Sequence, residues 1–386
     1  MVLGLRYPVW SSVPTRIISN DISVEYIILA EKIPDGSTNI NPVDYFLNEA
    51  FVSNFFEARV LSKLKLSEFR ILKCEINRLK SRRRKPAIEF KLWLYNKNNS
   101  DNHKQQQTSV NLVGKWRNDE LLKETFDLLQ ELWSKGFQSG DDDHLKISKP
   151  IAYFPDYNLM LASKASGIEL GKMLMGGDAS VLENYIIQAA SWLAKLHNIN
   201  LRSGRAFSLE TEEAKLRHWS EHLCFLYPDF AEKISNLFSL ILDKERSLDS
   251  KCFGLIHGDF HSGNIFVDGN DITVIDLEAS CIFDPAKDLG YFIAKLLATK
   301  KRYQLALDIR LQERFLEIYT ANIRSSSYKK GILERVDIYK ARSYIQLLHS
   351  RYCRHIHFKD YTRYEKHKLD PIDFRYWIKR AEECLQ

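Results

Sequence analysis

Ile256-His257-Gly258-Asp259-Phe260-His261-Ser262-Gly263-Asn264-Ile265-Phe266-Val267, with its echo Ile275-Asp276-Leu277-Glu278, decides the reading of this chain. Its pattern is an apolar strand end, a polar loop, a short apolar strand, a turn and a second apolar strand. Asp268-Gly269-Asn270-Asp271 supplies the turn, since Asp, Gly and Asn accept the positive φ that a tight hairpin needs. Such a hairpin brings Asp259, Asn264 and Asp276 to one end of a small ribbon. Two carboxylates and an amide make an all-oxygen set. Hard oxygen ligands suit Mg²⁺, which takes one or two carboxylates and fills its shell with water and nucleotide phosphates.

The spacing is more specific than the residue types. His-x-Asp-x-x-x-x-Asn followed by an apolar-flanked Asp is the catalytic-loop pattern of kinases. Three features then resemble the aminoglycoside phosphotransferase and choline kinase-like family: HGDFHSGNIFV, IDLE where a protein kinase has Asp-Phe-Gly, and Phe283-Asp284-Pro285-Ala286-Lys287-Asp288-Leu289. The bland alternative is a solvated hairpin with chance carboxylates. The resemblance implies an α+β, two-lobed, protein-kinase-like fold. Its small N-lobe carries an antiparallel sheet plus a helix, and its larger C-lobe is mostly helical. It also implies ATP and Mg²⁺ as cofactors. Asp259 is then the base, Asn264 and Asp276 hold the metal, and His261 contacts the γ-phosphate or is a surface loop histidine. His257 is expected to brace the loop, and Asp288 to bond its backbone.

Composition agrees with a globular enzyme. The 386 residues are 45% hydrophobic and 27% charged, with a net charge of +6. That charge is too mild to demand nucleic acid or a membrane surface. Six scattered cysteines with no Cys-x-x-Cys read as reduced thiols, not a disulfide frame or a zinc site. The N-terminus is too short and polar for a secretion signal, and no apolar run approaches bilayer length. A cytoplasmic protein is the expectation.

The pattern over 22–33 (ISVEYIILAEKI) predicts a strand. Asn41-Pro42 predicts a helix start, with one helix over 42–64 burying Phe46, Leu47, Ala50, Phe51 and Phe55. Strands are expected over 69–79 and 87–95. In the second, Ile88, Phe90, Leu92 and Leu94 alternate with polar or larger residues. Between them, Lys80-Ser81-Arg82-Arg83-Arg84-Lys85-Pro86 stands where a kinase has its glycine-rich loop. Arg82, Arg83 and Arg84 either contact phosphates through their guanidinium forks or form a solvated cationic turn.

The strand expected over Ser109–Trp116 carries Lys115 near its end, which matches the family's nucleotide lysine. On the following helix Glu124 is its expected carboxylate partner, with Glu131 as the competing residue. The stretch 162–167 (ASKASG) resembles the hinge between lobes, so Ala162 and Lys164 are candidates to meet adenine. The expected domains are 1–161, an N-lobe, and 162–386, a C-lobe. Leu193-Ala194-Lys195-Leu196-His197 resembles a buried large-lobe helix, where His197 is expected as a core histidine bonded to backbone. Residues 205–250 read as a helical segment that helps build the acceptor site in related enzymes. The basic run 349–368 is a solvated helix face or an anion-binding acceptor site.

These residues point to transfer of the γ-phosphoryl group of ATP to a hydroxyl of a small molecule: a sugar, an amino alcohol or an aminoglycoside-like compound. No nucleic acid and no membrane partner is expected. Two alternatives stay open. A protein-substrate kinase needs a longer activation segment than Glu278–Pro285. A non-catalytic nucleotide-binding module fits the missing glycine loop but not the full set of base, metal ligands and lysine.

Overall fold

A computed structural model describes residues 42–80, 86–97, 107–117, 120–138, 143–176, 179–201, 205, 208–305, 310–352 and 371–386. The expected strand over 22–33, Arg82, Arg83 and Arg84, and 353–368 of the basic run lie outside them.

Two helices replace the single one expected over 42–64: Pro42–Tyr45 (α1) and Glu49–Arg59 (α2). The break falls at Asn48, whose side chain accepts the Phe51 N–H at 3.0 Å and caps α2. Satisfying that orphan donor starts a second helix, and Phe46 ahead of the cap packs on Phe55 within it, at 5.1 Å between ring centroids. The strands β1 (Phe69–Lys80), β2 (Ala87–Asn96) and β3 (Gln107–Trp116) follow. In β2 the alternation holds: Ile88, Phe90, Leu92 and Leu94 are all buried, and Phe90 stacks edge-on against Phe56 of α2. Each fully buried Phe of this kind contributes about 2–3 kcal/mol from burial.

Next come α3 (Leu121–Ser134), β4 (Leu145–Ile147), β5 (Pro150–Phe154), β6 (Leu159–Ser163) and β7 (Ile168–Glu169). β1, β2, β3, β6 and β5 form one antiparallel sheet in that order. One face of it, with α1 and α2, encloses the first hydrophobic core. α3 buries Leu122, Phe126, Leu129 and Leu132 along one face, against the larger second core.

The rest of the described chain is mostly helical: α4 (Leu170–Met173), α5 (Ala179–His197), α6 (Leu209–Leu226) and α7 (Ala231–Arg246). Then β8 (Gly254–Ile256), β9 (Ile265–Asp268), β10 (Asp271–Val274) and β11 (Cys281–Phe283) carry the opening motif. After them come α8 (Ala286–Tyr303), α9 (Leu311–Asn322), α10 (Ser326–Lys329), α11 (Ile332–Tyr352) and α12 (Pro371–Glu383). β9 and β10 form the expected antiparallel hairpin across Gly269, which has φ +58°. β4 joins it in parallel beside β10 and ties the motif to the chain just before β5.

Buried ion pairs lock the helices around the motif. Glu212 at the start of α6 accepts from Lys287 of α8 at 3.0 Å and from Arg342 of α11 at 3.2 Å. Burial pushes the Glu212 carboxyl up, but Lys287 and Arg342 outweigh it and bring it down to about 2. Arg342 also forks onto Glu245 of α7 at 2.8 and 3.0 Å. No helix among the described residues is long and apolar enough to cross a membrane.

Candidate active site

The loop after β8 needs Gly258, whose φ is +80° and where a Cβ would lie 2.4 Å from the Ala279 carbonyl oxygen. Its backbone is held from behind by Asp288, in the first turn of α8. Asp288 accepts the N–H of His257 at 2.6 Å and of Gly258 at 2.8 Å. His197 meets the same carboxylate through Nε2 at 3.2 Å and the Tyr319 hydroxyl through Nδ1 at 3.0 Å. The partners of His197 are therefore side chains, not the backbone expected from the sequence. A buried carboxylate is a stronger acceptor than a neutral carbonyl, so it captures the imidazole. Burial pushes the Asp288 carboxyl up, but the His197 hydrogen bond and nearby imidazoles hold it below the usual aspartate range.

His257 braces the two halves of the motif. Its Nδ1 accepts the Asp259 N–H at 3.2 Å, so its Nε2 carries the proton that goes to the Ile275 carbonyl at 3.0 Å. Asn264 does the same from the 3-10 turn Ser262–Asn264, just before β9. Its side-chain Nδ2 donates to the Asp259 carbonyl at 2.9 Å, and its backbone carbonyl accepts the Ile275 N–H at 3.0 Å. With Nδ2 used, the Asn264 amide oxygen is the end left for a cation. Asp276 stands next to Ile275 with φ +69°, a left-handed conformation uncommon outside Gly and best tolerated by Asp and Asn. Strain of this kind gathers at functional sites.

Lys115, at the end of β3, reaches across to this strained turn. Its ammonium lies 2.8 Å from Asp276 Oδ1 and 3.0 Å from Glu278 Oε1. Burial pulls the Lys115 ammonium down, but the Asp276 and Glu278 carboxylates outweigh it and hold it above the ordinary lysine range. Arg117 donates to the other Glu278 oxygen at 3.0 Å. The expected Lys115–Glu124 pair is not formed, because two closer carboxylates take the ammonium. Glu124 and the competing Glu131 both line a cavity of about 320 Å³ bordered by Glu278. Glu278 and Arg117 are the residues that the sequence reading missed. Glu278 stood inside the quoted IDLE, and Arg117 follows Lys115 by two residues, just past the end of β3.

Asp259 is half exposed, its Oδ1 3.8 Å from His261 Nε2. His261 Nδ1 accepts the Gly263 N–H at 3.0 Å, which leaves the proton on Nε2, toward Asp259. Burial pushes the His261 imidazole down to about 4, so it is neutral at pH 7. His261 lines a cavity of about 630 Å³ together with Glu169, Ser262, Lys295, Arg302 and Trp377. The hinge candidates are placed differently. Ala162 sits inside the sheet, between Val113 of β3 and Pro150 of β5. Lys164 gives its amide to the Asn111 carbonyl at 3.0 Å and its ammonium to Glu89.

The donor set fits a hard divalent cation. The Asn264 amide and the Asp276 carboxylate offer oxygen donors, and both nitrogens of the nearby His257 are already engaged.

A small sheet sector, a helical sector, a strand lysine reaching a strained aspartate and a braced His-Gly-Asp loop together define a kinase-like phosphotransferase. The model of the APH phosphotransferase enzyme family matches residues 115–326, more than half of the chain, and the chain belongs to that family. A comparison with curated protein sequences finds no match. Among solved structures, the choline kinase of Cryptosporidium parvum is similar, with a TM-score of 0.54 at 15% identity over 86% of this chain and 95% of that one. Ethanolamine kinase of Plasmodium vivax gives a TM-score of 0.51 at 15% identity, over 96% of this chain and 95% of that one. Amicoumacin kinase, in complex with AMP-PNP and Ca²⁺, gives 0.53 at 12% identity, over 80% of this chain and 87% of that one. At these identities the likeness speaks for the α+β, two-lobed fold.

Proposed function

We propose that the protein transfers the γ-phosphoryl group of ATP to a hydroxyl of a small molecule held in the cavity beside His261. The Lys115–Asp276 pair carries this reading, because it joins the sheet to the catalytic hairpin where phosphates would lie. The Asp259 carboxylate accepts the hydrogen bond of the acceptor hydroxyl and takes its proton as the oxygen–phosphorus bond forms. The bond to the β-phosphate oxygen breaks in the same transfer, and ADP leaves. Lys115 releases Asp276 to meet the phosphates, while Glu278 keeps the ammonium in place. Asn264 and Asp276 would hold Mg²⁺, which neutralises charge on the phosphates. Neutral His261 donates from Nε2 to the acceptor or to the transferred group. The adenine is placed at the lobe boundary near Ala162. With the Lys164 amide and ammonium already used, backbone just beyond it over 165–167 would be the part of this stretch to meet the base.

The cavity favours a neutral or anionic hydroxyl compound over a polycation, because among the described residues of its lining Lys295 and Arg302 stand against the carboxylate of Glu169. A protein substrate is disfavoured. From Asp276 the chain goes through one 3-10 turn into β11, which pairs with β8, and α8 starts at Ala286. That leaves no extended segment to dock a peptide.

Thermal shift with ATP and Mg²⁺, then ADP release across a panel of hydroxylated metabolites, tests the reading. ATP should raise Tm, and a chelator should reverse the rise, because a ligand bound by the native state alone adds stability. No shift at millimolar ATP overturns it.

A further inference from the structure

Three histidines outside the candidate active site converge between two helices. His218 and His222 stand four residues apart on α6 and so share one helix face. His349 meets them from α11. The His218 and His222 ring centroids are 4.0 Å apart, and His349 lies 5.3 Å from each. One ring nitrogen from each of the three falls within 4.8 Å of the others. His222 Nδ1 and His349 Nε2 are already 3.2 Å apart. In a tetrahedral zinc site with Zn–N bonds of about 2.0–2.1 Å, neighbouring nitrogens are about 3.4 Å apart. The His222–His349 edge therefore has that spacing, and a ring rotation brings in the third nitrogen.

We infer that His218, His222 and His349 form a three-imidazole site for a borderline divalent metal ion, Zn²⁺ before others. Imidazole suits zinc, copper and nickel, whereas Mg²⁺ selects oxygen. This site and the Asn264–Asp276 pair therefore take different ions. The fourth position belongs to water, since His218 is exposed and the other two rings are half-buried. Carboxylates stand close by: Glu210, Glu213 and Glu221 line a shallow cavity with His218. Their charge offsets that of the ion, although Glu213 also serves Arg217 and Arg246.

The position gives the ion a structural consequence. Glu212, in the first turn of α6, grips Lys287 and Arg342. α11 brings Leu347, Leu348 and Ser350, the neighbours of His349, to the cavity beside His261. An ion on the three rings clamps α6 to α11 and fixes that wall of the cavity.

The test uses the untagged full chain, stripped with chelator and titrated with Zn²⁺ in excess Mg²⁺. One Zn²⁺ per chain should bind and raise Tm. Co²⁺ in its place should give the intense visible bands of a tetrahedral site. An outer-shell partner of a metal ligand is worth about 10–100-fold in affinity, so His222→Gln or His349→Gln should each weaken Zn²⁺ binding at least about tenfold. Failure of the wild type to hold Zn²⁺, or a Co²⁺ complex without tetrahedral bands, overturns the assignment without relying on any variant. Full retention of one Zn²⁺ in the His222→Gln/His349→Gln double variant overturns it too, because the ion then sits elsewhere. A hydrogen-bonded imidazole pair packed beside a third ring predicts those negative results.

Discussion

Asp288 and Asp276 both serve the loop between β8 and β11, yet their surroundings are opposite. Asp288 is 1% exposed, and short donors that cannot leave surround it: two backbone N–H groups and one buried imidazole. The Asp276 side chain is 19% exposed, stands on a left-handed backbone and is paired with Lys115, a long flexible cation from another sheet. The first arrangement is closed, so it holds shape. The second is open to exchange, because an ammonium on a four-carbon stem moves to a phosphate at small cost. Hydrogen-bond counts alone do not separate a brace from a working group. What separates them is whether the partners are free to be replaced.

The hardest blow to this contrast comes from the working side. Asp259→Asn should lower kcat by about 10²–10⁴-fold and leave ATP affinity nearly intact, since in the proposed reaction Asp259 meets the acceptor and not the nucleotide. Asp276→Asn should lose turnover and Mg-nucleotide affinity together. Calorimetry with ATP and Mg²⁺ beside turnover measurements separates the two. An Asp259→Asn enzyme with near-normal turnover removes the base and most of the proposed chemistry.

On the closed side the first casualty should be stability. Asp288→Asn leaves two backbone donors and His197 with a weaker, neutral partner, and should cost about 2–4 kcal/mol in urea unfolding. The folded-state pKa of Asp288 is depressed. Its contribution is therefore fully present above the ordinary aspartate value near 3.8 and is lost as pH falls below it. Asp288→Asn should accordingly unfold with a shallower acid dependence than the wild type. Equal stability at pH 7 would show that Asp288 is not the brace that its contacts describe.

The difference between the two sides also marks what the sequence could say. HGDFHSGN and IDLE were legible because their chemistry is local: a glycine turn, a hairpin and an amide two strands wide. β2 was legible from the alternation of Ile88, Phe90, Leu92 and Leu94. The partner of Lys115 was not, because Glu124, Glu131, Asp276 and Glu278 differ only in where α3 and the hairpin pack against β3. The break at Asn48 was hidden for another reason: an apolar spacing that runs straight through it masks the cap. The histidine cluster shows the same limit. His218 and His222 are visible as a pair, but His349 stands 127 residues beyond His222 and joins them only through helix packing.

The smallest expected effect falls at Glu278, where the open arrangement is sharpened most. Glu278 holds Lys115 at 3.0 Å and Arg117 at 3.0 Å, so in the proposed reaction it would be the fixed end of the exchange that releases Asp276. Glu278→Gln keeps the shape and one acceptor oxygen but removes the charge. Lys115 should then rest more firmly on Asp276 and approach the phosphates less readily. Losing one charge-assisted contact of this half-buried kind is worth about 1–2 kcal/mol, or roughly a 5- to 30-fold rise in the KM for ATP. kcat at saturating ATP should change little, since Glu278 meets neither the acceptor nor the transferred group. A fall in kcat without a change in KM would place Glu278 among the groups that act in the transition state, and Lys115 would then need another residue as its anchor.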